Sequence, residues 1–454
     1  MQKILLNKIV LFLIASLLVA GLYSQALGHE VNKGAIVLLT CKGKTGERIG
    51  TGTGFIVKPE GVLITNYHVL VDAVSVNAVF SNGTQVPVQQ VLKVDRIKDF
   101  AVLKLKDGFY STLEIGNSRN TKAFDYSSAL GYLTQSVSED EGKVKGDLLQ
   151  TFGFVLGVHP QAHPDFSYIY NTTTFGPGFS GGPVVDRENK VIGIATLEGR
   201  GINLALPIHE VQPFLDQKKG MAFEQLLQED RDSKEALYYR GNFSLYGKSD
   251  PDQAILNFQK VLKKDPNFVL ALYDLAAAKR DQGLIDETIA DYEKIIRINP
   301  NFPEALSNLG GYYFRAGKLE KAVSMFEQAV QNYPNFTQAL SNLGAALNKL
   351  NRAAEAVPHL QKTIRLDPEF AIAYYNLGNS FFSLNRLEEA QKTYGKSVEL
   401  GLDFLSLHWK LFETNHRLGK NQKAKNELEI ILQMDPENQK AQQELAKLPP
   451  TAVK

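Results

Sequence analysis

The sequence predicts two architectures in series: an all-β domain over residues 30–216 and an all-α repeat array over residues 234–438. Three observations carry this expectation. At 454 residues the chain exceeds what one ordinary core serves. Short β-branched runs divided by turn residues fill its first half, with no helical pattern between them. From Pro266 an Asp-Pro, Asn-Pro or Tyr-Pro pair returns every 34 residues, at Pro300, Pro334 and Pro368, which is the signature of a stacked repeat.

Composition narrows the function classes. With 44% hydrophobic and 22% charged residues the chain reads as a soluble globular protein, and its net charge of +1 gives no support for a nucleic-acid or membrane-surface partner. Cys41 is the single cysteine, so neither an intrachain disulfide nor a cysteine metal cluster can form. Lys3 and Lys8 precede the apolar run Ile9 to Tyr23, and Ser24-Gln25-Ala26 has the small-x-small form of a cleavage site, with Ala26-Leu27-Gly28 as a rival. Residues 1–26 are therefore expected to be a signal peptide, or an uncleaved N-terminal anchor. Export without disulfides points to a bacterial extracytoplasmic space such as the periplasm.

The strand runs are Ala35 to Leu39, Gly54 to Val57, Val62 to Thr65, Ala101 to Leu105, Tyr168 to Tyr170 and Val191 to Ile194. Pro59-Glu60-Gly61 and Ser81-Asn82-Gly83 are turns between such runs. Gly176-Pro177-Gly178-Phe179-Ser180-Gly181-Gly182-Pro183 is the stretch richest in chemistry. A serine between glycines suits a nucleophile on a tight turn that aims several N–H groups at one point. The same residues also describe a hairpin whose serine caps a turn. His68 follows one strand and Asp99 opens another, and the chain order His, Asp, Ser is that of chymotrypsin-like double barrels.

Four segments, GTGFIVKPEGVLITNYHVL, DFAVLKL, GPGFSGGPVVD and VIGIATLEGRGINLALPI, resemble the trypsin-like domain of Deg/HtrA-type bacterial serine proteases over most of residues 50–216. The resemblance implies a chymotrypsin-like double barrel and a triad. Ser180 attacks the scissile carbonyl, His68 accepts and returns the proton, and Asp99 orients the imidazole. The N–H groups of Gly178 and Ser180 then form the oxyanion hole. Asp72 and Asp95 are rival carboxylates outside the Asp-x-Ala-Val-Leu setting. Thr174, six residues before the serine, falls at the pocket floor of trypsin-like families, with Thr196 and Asn203 on its walls. An uncharged floor disfavours a strict Lys or Arg preference, leaving small or aliphatic side chains as the expectation. No cofactor and no metal is expected. His159 and His163 are separated by a proline and followed by another, which forbids a helix presenting both on one face. Ser138 to Lys143 reads as a solvated loop.

Val211 to Leu215 is expected to begin a closing helix, and Met221 to Gln228 a helix in the linker 217–233. The PDZ domain usual in the family is missing. Instead, Ala254, Thr288, Ala322, Ala356, Ala390 and Ala424 mark one small position, and Leu275, Leu309, Leu343, Leu377 and Leu411 one large position, each 34 apart. This pattern resembles the tetratricopeptide repeat, two antiparallel helices per unit, and gives a TPR superhelix of six repeats over 234–438 with a capping helix and tail over 439–454. Leu402 replaces the proline of one unit, and the first unit is irregular around Gly247 to Asp250. Asn308, Asn342 and Asn376 resemble the asparagine ladder by which some such arrays hold an extended peptide on the concave face, although Asp274 and Lys410 interrupt it at either end. The function expected is an exported, cofactor-free serine endopeptidase acting on protein or peptide substrates, with a protein partner recruited by the repeats. The alternative is an interaction scaffold with a silent protease-like domain. Oligomeric state is left open.

Overall fold

The computed structural model describes residues 30–140, 143–160, 166–199 and 202–448. The expected signal peptide, His163 and the tip of the 138–143 segment lie outside the described residues. The chain divides into two compact units, one ending at Phe268 and the other beginning at Val269. Among the described residues, no helix is long and apolar enough to cross a membrane.

The first unit opens with a closed barrel of β1 (Ile36–Lys42), β2 (Arg48–Lys58), β3 (Val62–Thr65), β4 (Ser75–Val79), β5 (Gln85–Asp95) and β6 (Phe100–Leu105). The strands run β1-β2-β3-β6-β5-β4 around it, all paired antiparallel. Phe55, Ile64, Val102 and Leu103 are fully buried there, which explains why these runs read as continuous apolar stretches. The second barrel contains β7 (Tyr126–Tyr132), β10 (Leu148–Pro160), β11 (Ser167–Asn171), β12 (Pro183–Val185), β13 (Val191–Gly199) and β14 (Ile202–Pro207), closed in the order β10-β11-β14-β13-β12-β7. Between β7 and β10, β8 (Ser138–Asp140) and β9 (Lys143–Lys145) pair as a hairpin where the charge run suggested only a loop. The architecture is the chymotrypsin-like double barrel that the sequence predicted.

Two local expectations change. Val211 to Leu215 forms no α-helix. Two 3-10 turns, Ile208–Glu210 and Gln212–Phe214, close the barrel instead, with Pro213 withholding the N–H that a longer helix needs. Met221 pairs with Val91 through bonds of 3.0 and 2.8 Å, so the linker first extends the barrel and then enters α1 (Phe223–Asp230). A helix pair follows within the same unit: α2 (Lys234–Asn242), capped by Ser233, and α3 (Pro251–Lys264), capped by Asp250. A π-turn, Phe243–Gly247, separates them at the irregularity seen in the sequence.

The second unit is a run of helix pairs with the 34-residue period: α4 (Val269–Asp281) and α5 (Ile285–Ile298), α6 (Pro303–Arg315) and α7 (Leu319–Asn332), then α8 (Thr337–Lys349) and α9 (Ala353–Leu366). Next come α10 (Ala371–Ser383) and α11 (Leu387–Glu399), α12 (Leu405–Arg417) and α13 (Asn421–Met434), and a last helix, α14 (Gln439–Lys447). Ala322, Ala356, Ala390 and Ala424 are all fully buried. A Cβ at Gly310, Gly344 or Gly378 would lie within 2.7 Å of Phe326, Leu360 or Tyr394 on the paired helix, which is why glycine recurs there. The residues before the repeat prolines, Asn299, Tyr333 and Asp367, end their helices in extended conformation, as the residue before a proline must. Where Leu402 replaces that proline, Gly401 at φ +90° turns the chain instead.

Candidate active site between the barrels

His68 begins a 3-10 turn directly after β3, and Asp99 sits at φ +59° immediately before β6, the antiparallel neighbour of β3. The pairing of these two strands brings their ends together. Asp99 Oδ2 lies 2.7 Å from His68 Nδ1, while Asp99 Oδ1 accepts the His68 backbone N–H at 2.9 Å. Thr196 Oγ1 donates to the same Oδ2 at 2.9 Å, and Asn66 Nδ2 donates to the Asp99 carbonyl at 2.7 Å. Asp99 is buried, so these donors replace the water that its carboxylate has lost. A carboxylate only accepts, which makes Nδ1 the protonated ring nitrogen and Nε2 the one able to take a proton. The rival carboxylates are occupied elsewhere. Asp72 pairs with Arg240, and Asp95 caps the N–H groups of Ile97 and Lys98.

Ser180 stands on the turn between β11 and β12. Its carbonyl accepts the Thr53 N–H at 2.9 Å, which joins the loop to β2 of the first barrel. A Cβ on Gly181, at φ +84°, would overlap Thr65 Oγ1 and lie 2.9 Å from the Asn66 N. The serine turn is thus pressed against the segment that carries His68. Phe179 is buried in the second-barrel core and its ring fills the space beside Gly131. Gly178, at φ +100°, has its carbonyl held by Thr53 Oγ1 at 2.7 Å, and that hydroxyl accepts the Tyr132 N–H at 2.9 Å. The Pro177 carbonyl accepts the Thr134 N–H at 2.8 Å. A trans peptide points its carbonyl and N–H in opposite directions, so this bond turns the Gly178 N–H away from Thr134. The N–H groups of Phe179, Gly181 and Gly182 all donate to backbone carbonyls, whereas those of Gly178 and Ser180 have no acceptor among the described residues. Two donors left available on one tight turn are what an oxyanion hole requires.

The residues expected to line the pocket are placed differently from one another. Thr174 is exposed, and its carbonyl accepts from Thr151 Oγ1 at 2.7 Å. Asn203 Oδ1 accepts the Phe175 N–H at 3.3 Å, so Asn203 and the Thr174–Phe175 segment are neighbours. Thr196 has its hydroxyl on Asp99. In the second unit, Asn308 Nδ2 donates to the hydroxyls of Tyr273 and Tyr292 at 3.0 and 3.1 Å. Asn376 is buried and reaches Ser341 at 3.4 Å, and Asn342 accepts from Gln338 at 3.2 Å. Among the described residues, no cluster of His, Cys, Asp or Glu is arranged to hold a metal ion. Burial pushes the Cys41 thiol up to about 12, and its Sγ lies 3.0 Å from the Val69 carbonyl, so it is a packed and unreactive group.

Residues 52–194 match the family model of the trypsin-like peptidase domain, and four overlapping segments between 244 and 398 match a tetratricopeptide-repeat model. Serine protease HTR4 of Rattus norvegicus is 32% identical over 170 residues, which cover 36% of this chain and 33% of the relative. A probable periplasmic serine endoprotease DegP-like from Chlamydia pneumoniae is 30% identical over 177 residues, covering 37% and 34%. The chain therefore spans about a third of the length of these curated relatives. An HtrA-type protease solved with a tripeptide aligns at 24% identity and a TM-score of 0.35, over 42% of this chain and 61% of that one.

Proposed function

For a chain that joins a trypsin-like peptidase domain with HtrA homologues to tetratricopeptide repeats, we propose the activity of a serine endopeptidase acting outside the cytoplasm, with the repeats recruiting a protein partner or substrate. Ser180 Oγ attacks the scissile carbonyl. His68, fixed by Asp99 as the Nδ1–H tautomer, takes the serine proton on Nε2 and passes it to the leaving amine. The N–H groups of Gly178 and Ser180 stabilise the oxyanion. Thr174 and Asn203 border the primary pocket and favour an uncharged side chain before the scissile bond. The observation that carries the reading is the buried Asp99 carboxylate bound at once to both His68 nitrogen donors and to Thr196.

Bacterial relatives named as probable periplasmic serine endoproteases support an extracytoplasmic setting. Recruitment by the repeats would raise the local concentration of cleavable segments near Ser180. Asn342, half-buried on α8, is the ladder residue best placed to meet such a ligand. The test is labelling of the full chain with a fluorophosphonate probe, which needs an activated serine but no known substrate. Labelling is expected in the wild type and lost in Ser180→Ala and His68→Ala. A folded wild type that stays unlabelled, with and without added peptide, would favour an interaction scaffold instead.

A further inference from the structure

The helix α2 lies within the span expected for the repeats, yet it packs on the protease barrel at His68. The Tyr239 ring lies against the imidazole, with centroids 5.8 Å apart and planes 28° from parallel. Tyr239 also meets Tyr67 edge-on at 5.6 Å and Tyr238 at 5.0 Å. Its hydroxyl donates to the Arg96 carbonyl at 3.2 Å, on the loop that leads into Asp99. Tyr239 and Tyr67 are buried. Burial, with the Asp99 charge as the next cause, pushes the Tyr239 phenol well above its usual range.

Two charged clamps hold α1 and α2 against the barrel, one on each helix. Arg96 donates to Asp230 Oδ1 at 2.7 Å and to Glu229 Oε2 at 3.0 Å, both at the end of α1. Arg240, next to Tyr239, grips Asp72 in two-pronged fashion through Nε at 2.9 Å and Nη2 at 2.8 Å. Asp72 lies four residues after His68. Asp230 is fully desolvated, so breaking its pair would leave an uncompensated buried charge. The clamps thus bracket His68, one on the loop before Asp99 and one on the turn after His68, with the Tyr239 ring between them.

We propose that Tyr239 is a positioning residue for the His68–Asp99 pair, holding the imidazole face and keeping water from the Nδ1–H bond, so that the first repeat helix is part of the protease site. This rests on the reading of His68 as the general base. A histidine side chain has two soft torsions, and water competes for Asp99 wherever it can enter. The stacked ring closes that route and removes the swung-out rotamer.

The experiment uses the full chain labelled with 15N at histidine and follows solvent exchange of the His68 Nδ1–H, assigned by its loss in His68→Gln. Tyr239→Phe, which keeps the ring, is expected to match the wild type. Tyr239→Leu is expected to speed exchange and slow fluorophosphonate labelling by roughly tenfold each, the factor one well-placed aromatic contact supplies. Exchange in Tyr239→Leu within about threefold of wild type would overturn the proposal, and so would a Phe variant as poor as Leu, which would move the role to the hydroxyl. If Tyr239→Leu fails to fold, Asp72→Asn makes the same test from the half-exposed clamp, with unchanged exchange again overturning the idea. The Nδ1–H readout does not depend on Ser180. Ring-dependent exchange without probe labelling would therefore sink the proposed activity and leave this inference standing, whereas labelling with ring-independent exchange would do the reverse.

Discussion

Replacing Gly178 with alanine tests the serine turn where its geometry is tightest. At φ +100° an alanine carries a left-handed penalty of roughly 1–2 kcal/mol. Its Cβ would also overlap the Tyr132 carbonyl oxygen and lie 2.7 Å from Thr134 Oγ1 and 2.8 Å from the Thr134 N. Two of these three atoms are backbone, so the turn itself has to move. The Pro177–Gly178 peptide then gives up its bond to Thr134, and its N–H no longer aims at the site of the oxyanion. Loss of one such donor costs about 2.7–4 kcal/mol of transition-state stabilisation, or about a hundred- to a thousandfold in turnover. Gly46→Ala is the matched control: its φ is +85°, but a Cβ there meets nothing within 4 Å. It carries the backbone strain without the clash, and is expected to lower stability by about 1 kcal/mol with turnover unchanged. The assay is hydrolysis of a fluorescently quenched casein, with kcat and KM separated, alongside fluorophosphonate labelling. Gly178→Ala retaining more than about a fifth of wild-type kcat would refute the assignment of the Gly178 N–H to the oxyanion.

Thr196→Val removes a donor from a buried carboxylate, a loss of about 1.5–3 kcal/mol, and should lower kcat by about ten- to a hundredfold without altering which side chain is preferred before the scissile bond. A changed preference at normal kcat would return Thr196 to the pocket wall. Gly378→Ala places a Cβ 2.5 Å from the Tyr394 ring and should destabilise the second unit by about 1–3 kcal/mol, read as a lower midpoint in its thermal unfolding. His408 is buried with Nδ1 2.7 Å from Glu427 and Nε2 2.8 Å from Asp403, and the Glu427 bond in particular raises its pKa. Its stabilising contribution is therefore full below the ordinary histidine pKa of about 6.5 and disappears as pH climbs through the raised value. The second unit of the wild type should lose thermal stability relative to His408→Gln as pH rises above about 6.5, and a difference that stays constant with pH would contradict the assignment.

What the sequence made legible follows from how local each constraint is. The 34-residue period survives because three successive pairs pack Gly310, Gly344 and Gly378 against the same position of the partner helix, so each of them restates the rule. The strands around His68 and Asp99 were legible because apolar runs and turn residues act over a few positions. Thr53 was not. Its hydroxyl ties the Gly178 carbonyl to Tyr132 across 125 and 79 residues of chain, and nothing in a Gly-Thr-Gly strand announces that bond. Thr196 was read as pocket wall because it lies on the strand that borders the pocket. The register of β13 against β14 shifts between Ala195 and Leu197, so Thr196 falls where alternation is broken, and alternation along the sequence does not give its direction. Tyr239 falls inside the expected repeat span because Ala254 and Pro266 keep the phase of the array, and periodicity carries no record of what a face packs against.

That phase gives the last step. Arg240 precedes Asp274, Asn308, Asn342 and Asn376 by successive intervals of 34, so it occupies the ladder position of the first helix pair. There the position is spent on Asp72 of the barrel, and its neighbour Tyr239 on His68. At that position of the first pair the side chain thus engages the barrel. In α6 and α10 the same register is engaged by Tyr273, Tyr292 and Ser341, which stiffens the stack. An arginine at this position reads a carboxylate, whereas an asparagine reads a peptide group or a hydroxyl. The substitution along one register therefore separates the pair that engages the barrel from the pairs whose asparagines bond within the repeats.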